Sequence, residues 1–298
     1  MWSKFKGTGV AIVTPFTEDR EIDYPGLENL VNYLIDGGID YLVVQGTTGE
    51  SPTLSKQEKV EVLGFVHRAN KERLPIVFGI GGNNTMAVLE DLKYYDSSKF
   101  DAILSVCPFY NKPTQEGIYQ HYKAIAGVAP KPIILYNVPG RSVVNMTAET
   151  TLRLANEFDN IIAVKEASGN IEQIQKIIDN RPNNFLVISG DDPITVPLIK
   201  MGGGGVISVV ANALPQSFSD MVNEALAGNF ESAQVVQNGF DHVTNLMFKE
   251  GNPAGVKAAL DILGVCSVHV RLPLVKMSDA GYQEMAVELE RTGYLQNV

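Results

Sequence analysis

Apolar residues along this chain follow two alternating rhythms. Short unbroken runs rich in Val and Ile give way to segments in which apolar residues recur every three or four positions. The runs predict strands at 9–14, 40–44, 75–80, 101–106, 132–136, 161–165, 185–189 and 205–209. Leu27, Leu30, Val31 and Leu34 mark a helix after an Asp23 N-cap, stopped by Gly37-Gly38. Ser55-Lys56-Gln57-Glu58 is a capping-box pattern, with Val60, Leu63 and Val66 along the face that follows. Ile171, Ile174 and Ile178 repeat the spacing after the sixth run. Eight runs, each followed by a helix, predict an α/β protein of the (β/α)8 barrel type, its run-like strands buried on both faces. An open doubly wound sheet is the competing architecture, but no Gly-x-Gly-x-x-Gly turn follows the first run. Beyond the eighth strand the pattern is wholly helical, with Phe218, Met221, Val222 and Ala225 on one face. The expected organisation is a barrel over 1–214 and a helical appendix over 215–298, packed on the barrel.

Bulk properties narrow the function classes. With 298 residues, 45% hydrophobic and 19% charged, the chain has material for a large core and no disordered tract. A net charge of −10 disfavours nucleic acid or an anionic membrane as partner, since both call for clustered Lys and Arg. Cys107 and Cys266 lie far apart without metal-ligand spacing and read as reduced thiols of a cytoplasmic protein. The four histidines share no ligand spacing either, so no metal is assigned. Met1-Trp2-Ser3-Lys4 runs almost directly into the first strand, which leaves no expected targeting segment, and no apolar stretch is long enough to cross a membrane.

In a (β/α)8 barrel the working residues sit at the C-terminal ends of strands and in the loops beyond them. Lys165 stands there, closing Asn160-Ile161-Ile162-Ala163-Val164-Lys165 before Glu166-Ala167-Ser168-Gly169. A strand-end lysine either snorkels or pairs with a carboxylate, or it is held desolvated. Desolvation favours the neutral amine, which attacks a ketone to give a Schiff base. Tyr136 ends the adjacent strand and leads into Asn137-Val138-Pro139-Gly140-Arg141. Its phenol is a proton carrier for a bound imine, or a lid on the core. Arg141 is a bidentate clamp for a carboxylate, or a solvated loop residue. Gln45-Gly46-Thr47-Thr48-Gly49-Glu50-Ser51 offers backbone N–H groups and hydroxyls to a small carboxylate, and serves equally as turn chemistry. Cys107-Pro108-Phe109-Tyr110-Asn111 ends strand four. In Ser189-Gly190-Asp191-Asp192, Gly190 allows close approach and Asp191 is expected to cap the next helix. Gly202-Gly203-Gly204-Gly205 precedes a strand and lacks a following Gly-Lys-Ser/Thr, so it reads as a helix-to-strand turn.

Gly46-Thr47-Thr48-Gly49-Glu50, Tyr136-Asn137-Val138-Pro139-Gly140-Arg141 and Val164-Lys165-Glu166-Ala167 occur here in that order. The match runs from Gly9-Val10-Ala11-Ile12-Val13-Thr14-Pro15 to Arg271-Leu272-Pro273-Leu274. On these segments the chain resembles the pyruvate-dependent class I aldolase family that includes N-acetylneuraminate lyase. The resemblance implies that Lys165 condenses with pyruvate to an imine and then an enamine. The enamine would attack the aldehyde of L-aspartate 4-semialdehyde, and the adduct would cyclise to 4-hydroxy-tetrahydrodipicolinate on the diaminopimelate route to lysine. It implies Tyr136 as the acid/base, Thr48 as a pyruvate ligand, and Thr47 and Thr48 as a hydroxyl relay from Tyr136 to Tyr110. The Ile207 backbone and Gly190 would border the pyruvate site, and Arg141 would hold the semialdehyde carboxylate. Tyr110 would reach a neighbouring subunit's site, which implies a homotetramer built as a dimer of tight dimers. This chemistry requires no metal or organic cofactor. A phenol of pKa about 10 is a poor acid/base at neutral pH, and hydroxyl relay with a nearby cation eases that barrier.

One departure concerns regulation. Relatives inhibited by lysine use a histidine and a glutamate where this chain has Lys56 and Ala87. An ammonium ligand meeting Lys56 without an acidic partner implies weak or absent feedback. Two other functions compete. A sugar-acid aldolase would share Lys165 and Tyr136, and Arg141 in its Pro-Gly-Arg setting favours the acidic acceptor instead. A non-catalytic pyruvate sensor is disfavoured by the joint presence of Lys165, Tyr136, Thr48 and Tyr110.

Overall fold

The computed structural model describes residues 2–295; Met1 and 296–298, the outer ends of the two expected regions, lie outside the described residues. Eight parallel strands close into a barrel in sequence order. They are β1 (Gly7–Ala11), β2 (Tyr41–Val44), β3 (Ile76–Gly79), β4 (Ala102–Val106), β5 (Ile133–Asn137), β6 (Ile161–Glu166), β7 (Leu186–Ser189) and β8 (Gly205–Ser208). The outer ring follows as α1 (Tyr24–Asp36), α2 (Lys56–Asn70), α3 (Thr85–Tyr94), α4 (Gln115–Ala126), the single turn α5 (Pro139–Ser142), α6 (Ala148–Glu157), α7 (Ile171–Asn180), α8 (Thr195–Lys200) and α9 (Pro215–Leu226). Then come α10 (Phe230–Lys249), α11 (Ala254–Ile262) and α12 (Asp279–Arg291), which pack on one another. α9 lies against β1, β8 and α1, so the first helix beyond 214 occupies the last place in the ring.

Alternation along the strands sorts apolar residues into two cores. Val10, Leu42, Val44, Phe78, Ile103 and Val164 face the helices. Tyr41, Val43, Val77, Leu104, Ile134, Ile188 and Ile207 fill the barrel interior. The strands are buried on both faces, as their unbroken apolar runs predict. A register shift between Ile133 and Ile134 places both Ile162 and Ala163 in the interior set.

The helix signals act as read. Asp23 Oδ1 accepts from Gly26 N at 3.0 Å, and α1 ends at Gly37 before Gly38 at φ 77°. Ser55 and Glu58 complete a reciprocal capping box on α2. The last of the four glycines, Gly205, has φ +134° and opens β8, where a Cβ would sit 2.0 Å from the Gly7 carbonyl.

Three expectations are corrected. The first strand spans Gly7–Ala11 instead of 9–14. A Cβ at Gly9 would lie 2.1 Å from the Tyr41 ring, so only glycine fits that ladder position. Beyond Ala11 the chain leaves the sheet: Val13 N donates to Asn212 Oδ1 at 3.2 Å and Thr14 Oγ1 to Gly49 O at 2.7 Å. Ile171 is exposed, and α7 buries Ile174 and Ile177. Asp191 makes no side-chain cap; the neighbouring Asp192 is buried and accepts from Ser208 Oγ, Val209 N and Val210 N at 2.5, 3.1 and 3.4 Å. Burial pushes the Asp192 carboxyl up to about 6 against those donors.

Candidate active site

Lys165 is the last inward-facing residue of β6, paired across β5 with Tyr136 and across β7 with Ile188. It is buried, and its Nζ lies 4.4 Å from the centroid of the Tyr136 ring. The adjacent carboxylate does not neutralise it, because Glu166 points the other way, into the strand–helix layer. There Glu166 accepts from Asn137 Nδ2 at 3.1 Å, Gln173 Nε2 at 3.0 Å and Ser168 N at 2.8 Å. Burial raises the Glu166 carboxyl, and these donors work against that rise. One step along the strand thus separates a buried inward amine from an outward acid held by the helix layer.

Gly190 follows β7 beside that amine. A Cβ there would lie 3.0 Å from both Cγ and Cε of Lys165 and 2.7 Å from Ala167 Cβ. The absence of a side chain at 190 is what leaves the lysine its room. Ile207, on β8, belongs to the same interior set as Tyr136.

A cleft of about 410 Å3 opens at this end of the barrel, lined by Gln45, Thr47, Lys59, Phe109, Tyr136 and Arg141 among others. That volume suits a small metabolite. Arg141 rides on the single turn α5, which Pro139 opens, and it is exposed at the cleft edge. Thr47 is half-buried on the wall, whereas Thr48 is buried behind it. The turn that carries both threonines runs between Gln45 and Glu50, at φ 62° and 55°. Tyr110 stands apart: it is 87% exposed, at φ 70°, and does not line the cleft. Lys165, Tyr136 and Gly190 therefore meet directly, and Thr47 and Arg141 share the Tyr136 cleft. Thr48 is turned towards the C-terminal region.

Three residues near the site are assigned no role from the sequence. Asn252 Nδ2 donates to Thr48 Oγ1 at 3.0 Å. Lys257 Nζ meets Glu50 Oε1 at 2.6 Å with both side chains wholly buried. Arg271 N donates to Glu50 Oε2 at 2.9 Å, and its guanidinium holds Glu58 at 2.6 Å. That contact, larger than the opposing effect of burial, holds the Glu58 carboxyl down at about 2. More than 200 residues of chain separate these partners, and no spacing rule spans that interval. Both cysteines are buried free thiols, raised by burial to about 12. Among the described residues no group of His, Cys, Asp and Glu is placed to hold a metal ion, and no helix is long and apolar enough to cross a membrane.

An eight-stranded α/β barrel with a buried amine and a phenol at its C-terminal mouth defines the class. Residues 4–292 match the model of the Dihydrodipicolinate synthetase family, and the chain belongs to that family. It is 55% identical over 280 residues to the 4-hydroxy-tetrahydrodipicolinate synthase of Parabacteroides distasonis, covering 94% of each chain. It is 54% identical over 275 residues to the enzyme of that name from Flavobacterium psychrophilum, covering 92% of this chain and 94% of the relative. The crystal structure of dihydrodipicolinate synthase from Thermotoga maritima superimposes with a TM-score of 0.95 at 38% identity, over 98% of this chain and all of that one.

Proposed function

We propose that this chain is a Schiff-base-forming lyase that condenses pyruvate with L-aspartate 4-semialdehyde to 4-hydroxy-tetrahydrodipicolinate. The observation that carries the reading is the buried Lys165 amine against the Tyr136 ring, in a chain of this family. Lys165 Nζ attacks the keto carbon of pyruvate and water leaves, giving an imine. Loss of a methyl proton converts the imine to an enamine, whose carbon bonds to the aldehyde carbon of the second substrate. The aldehyde oxygen takes a proton, and the semialdehyde's own amine displaces Lys165 as the ring closes. Tyr136 is assigned the proton transfers, which a positioned acid/base accelerates by about 10²–10⁴-fold.

Thr48 is assigned to the pyruvate carboxylate, with Ile207 and Gly190 bordering it, and Arg141 to the carboxylate of the semialdehyde. Thr47 and Thr48 are assigned to the relay from Tyr136 towards Tyr110. Tyr110 is supplied across a subunit interface, which its exposure in the single chain supports. The working form is then a homotetramer of two tight dimers, acting in the cytoplasm. The 1–214 barrel and the 215–298 helical region are proposed as one functional unit.

The test mixes the protein with pyruvate and L-aspartate 4-semialdehyde and couples product to dihydrodipicolinate reductase. Stoichiometric loss of both substrates is expected, and Lys165→Ala should lower turnover by about 10³-fold or more. No condensation by a protein that still forms a borohydride-reducible pyruvate adduct would move the acceptor to a sugar acid.

A further inference from the structure

The turn bearing Thr47 and Thr48 belongs to the barrel, yet it is anchored from the C-terminal region. Asn252, in the link between α10 and α11, donates Nδ2–H to Thr48 Oγ1 at 3.0 Å. Two residues beyond Thr48, Glu50 is locked by Lys257 of α11 and by the backbone of Arg271. The turn therefore cannot shift as a body without breaking a fully buried ion pair. Asn252 narrows the rotation of the Thr48 hydroxyl by filling one of its acceptor positions.

A threonine hydroxyl has one proton and two acceptor positions. With Asn252 donating into the oxygen, the Thr48 proton is left to be given to an acceptor brought in from outside. The asparagine's other end supports a functional reading. Its Oδ1 is buried and has no partner among the described residues, so the contact with Thr48 is the one side-chain hydrogen bond this amide makes there.

We propose that Asn252 is a positioning residue for the 2-keto acid: it orients the Thr48 hydroxyl as a donor towards the substrate carboxylate. The C-terminal helical region thereby supplies part of the binding machinery of the barrel. This inference rests on the Schiff-base reading above and on the place of Thr48 in it.

The test uses pyruvate alone with borohydride, scoring the fraction of chain carrying the reduced adduct by intact mass as pyruvate is varied. It compares the native protein with Asn252→Ala, Asn252→Asp, Thr48→Val and the Asn252→Ala/Thr48→Val double variant. Asn252→Asp keeps shape and acceptor but removes the donor, so its carboxylate would take the Thr48 proton. Both single Asn252 variants should raise half-saturating pyruvate by about tenfold, the value of one hydrogen bond to a charged group. In the coupled condensation assay the KM for the semialdehyde should stay within about twofold. The double variant should be no worse than Thr48→Val alone, because Asn252 acts through that hydroxyl. A native-like half-saturation in Asn252→Asp, or additive losses in the double variant, would overturn the proposal. Should Asn252→Ala not fold, Asn252→Asp and its double with Thr48→Val carry the same comparison. Failure of the native protein to form any adduct would instead sink the Schiff-base reading, and this inference with it.

Discussion

At the scale of single residues, the chemistry depends on which way a side chain points. Lys165 and Glu166 are neighbours in sequence, but strand alternation sends the amine into the barrel and the acid into the helix layer. Gly190 shows how tight the inner position is. Its missing Cβ leaves Lys165 Cγ and Cε in place. Gly190→Ala must displace both the fixed Cβ of Ala167 and the stem of Lys165, and should slow pyruvate adduct formation by about 10²-fold in the folded variant. An unchanged trapping rate in that variant would show that the lysine has slack. Lys165, Tyr136 and Arg141 were legible because each closes a strand or opens the loop beyond it. Asp191 was misread because Asp191 and Asp192 are the same residue type side by side. Which of the two turned inward was settled by the donors of the β8 end.

Asp192 carries the argument to the scale of elements, since it ties the loop after β7 to the loop after β8. Its carboxyl is raised from 3.8 to about 6, so the folded state holds a proton that the unfolded state has released. This group therefore adds stability below about pH 4, and the addition is lost as pH rises through 6. The full span is on the order of 3 kcal/mol. Asn252, Lys257 and Arg271 do comparable work between the C-terminal helices and the β2 turn. Urea unfolding at pH 4.5 and 6.5 should show the native protein losing stability relative to Asp192→Asn as pH rises. A difference between the two that stays constant with pH would refute the assignment. The Lys257–Glu50 pair makes a second prediction at this scale. Lys257→Met leaves a buried carboxylate without its cation and should cost about 3–5 kcal/mol, whereas Lys257→Met with Glu50→Gln should recover part of it. Equal losses in both variants, read by urea unfolding, would show that the cost lies in packing.

At the scale of the whole molecule, assembly and regulation are in question. Tyr110 is 87% exposed in the single chain, in keeping with the shared site proposed above. The weak lysine feedback expected from Lys56 and Ala87 belongs to this scale as well. Lys56 is committed to Asp91 at 2.6 Å, and Ala87 is exposed without an acidic group to offer. Free lysine would have to displace Lys56 from Asp91 or bind without a carboxylate from position 87. We therefore expect condensation rates to change by less than about twofold at millimolar lysine. Sub-millimolar inhibition in the coupled assay would refute that.

The eight-fold alternation, the caps at Asp23 and Ser55, and the pairing of Lys165 with Tyr136 were determined by the sequence alone. Each is a local rule: hydrophobic period, capping chemistry, or the order of strands in a right-handed barrel. Only the tertiary structure decided where β1 ends, which aspartate is buried, and that Asn252 and Lys257 reach Thr48 and Glu50. These depend on close approach between segments up to 207 residues apart, where the space left by one side chain sets the place of another.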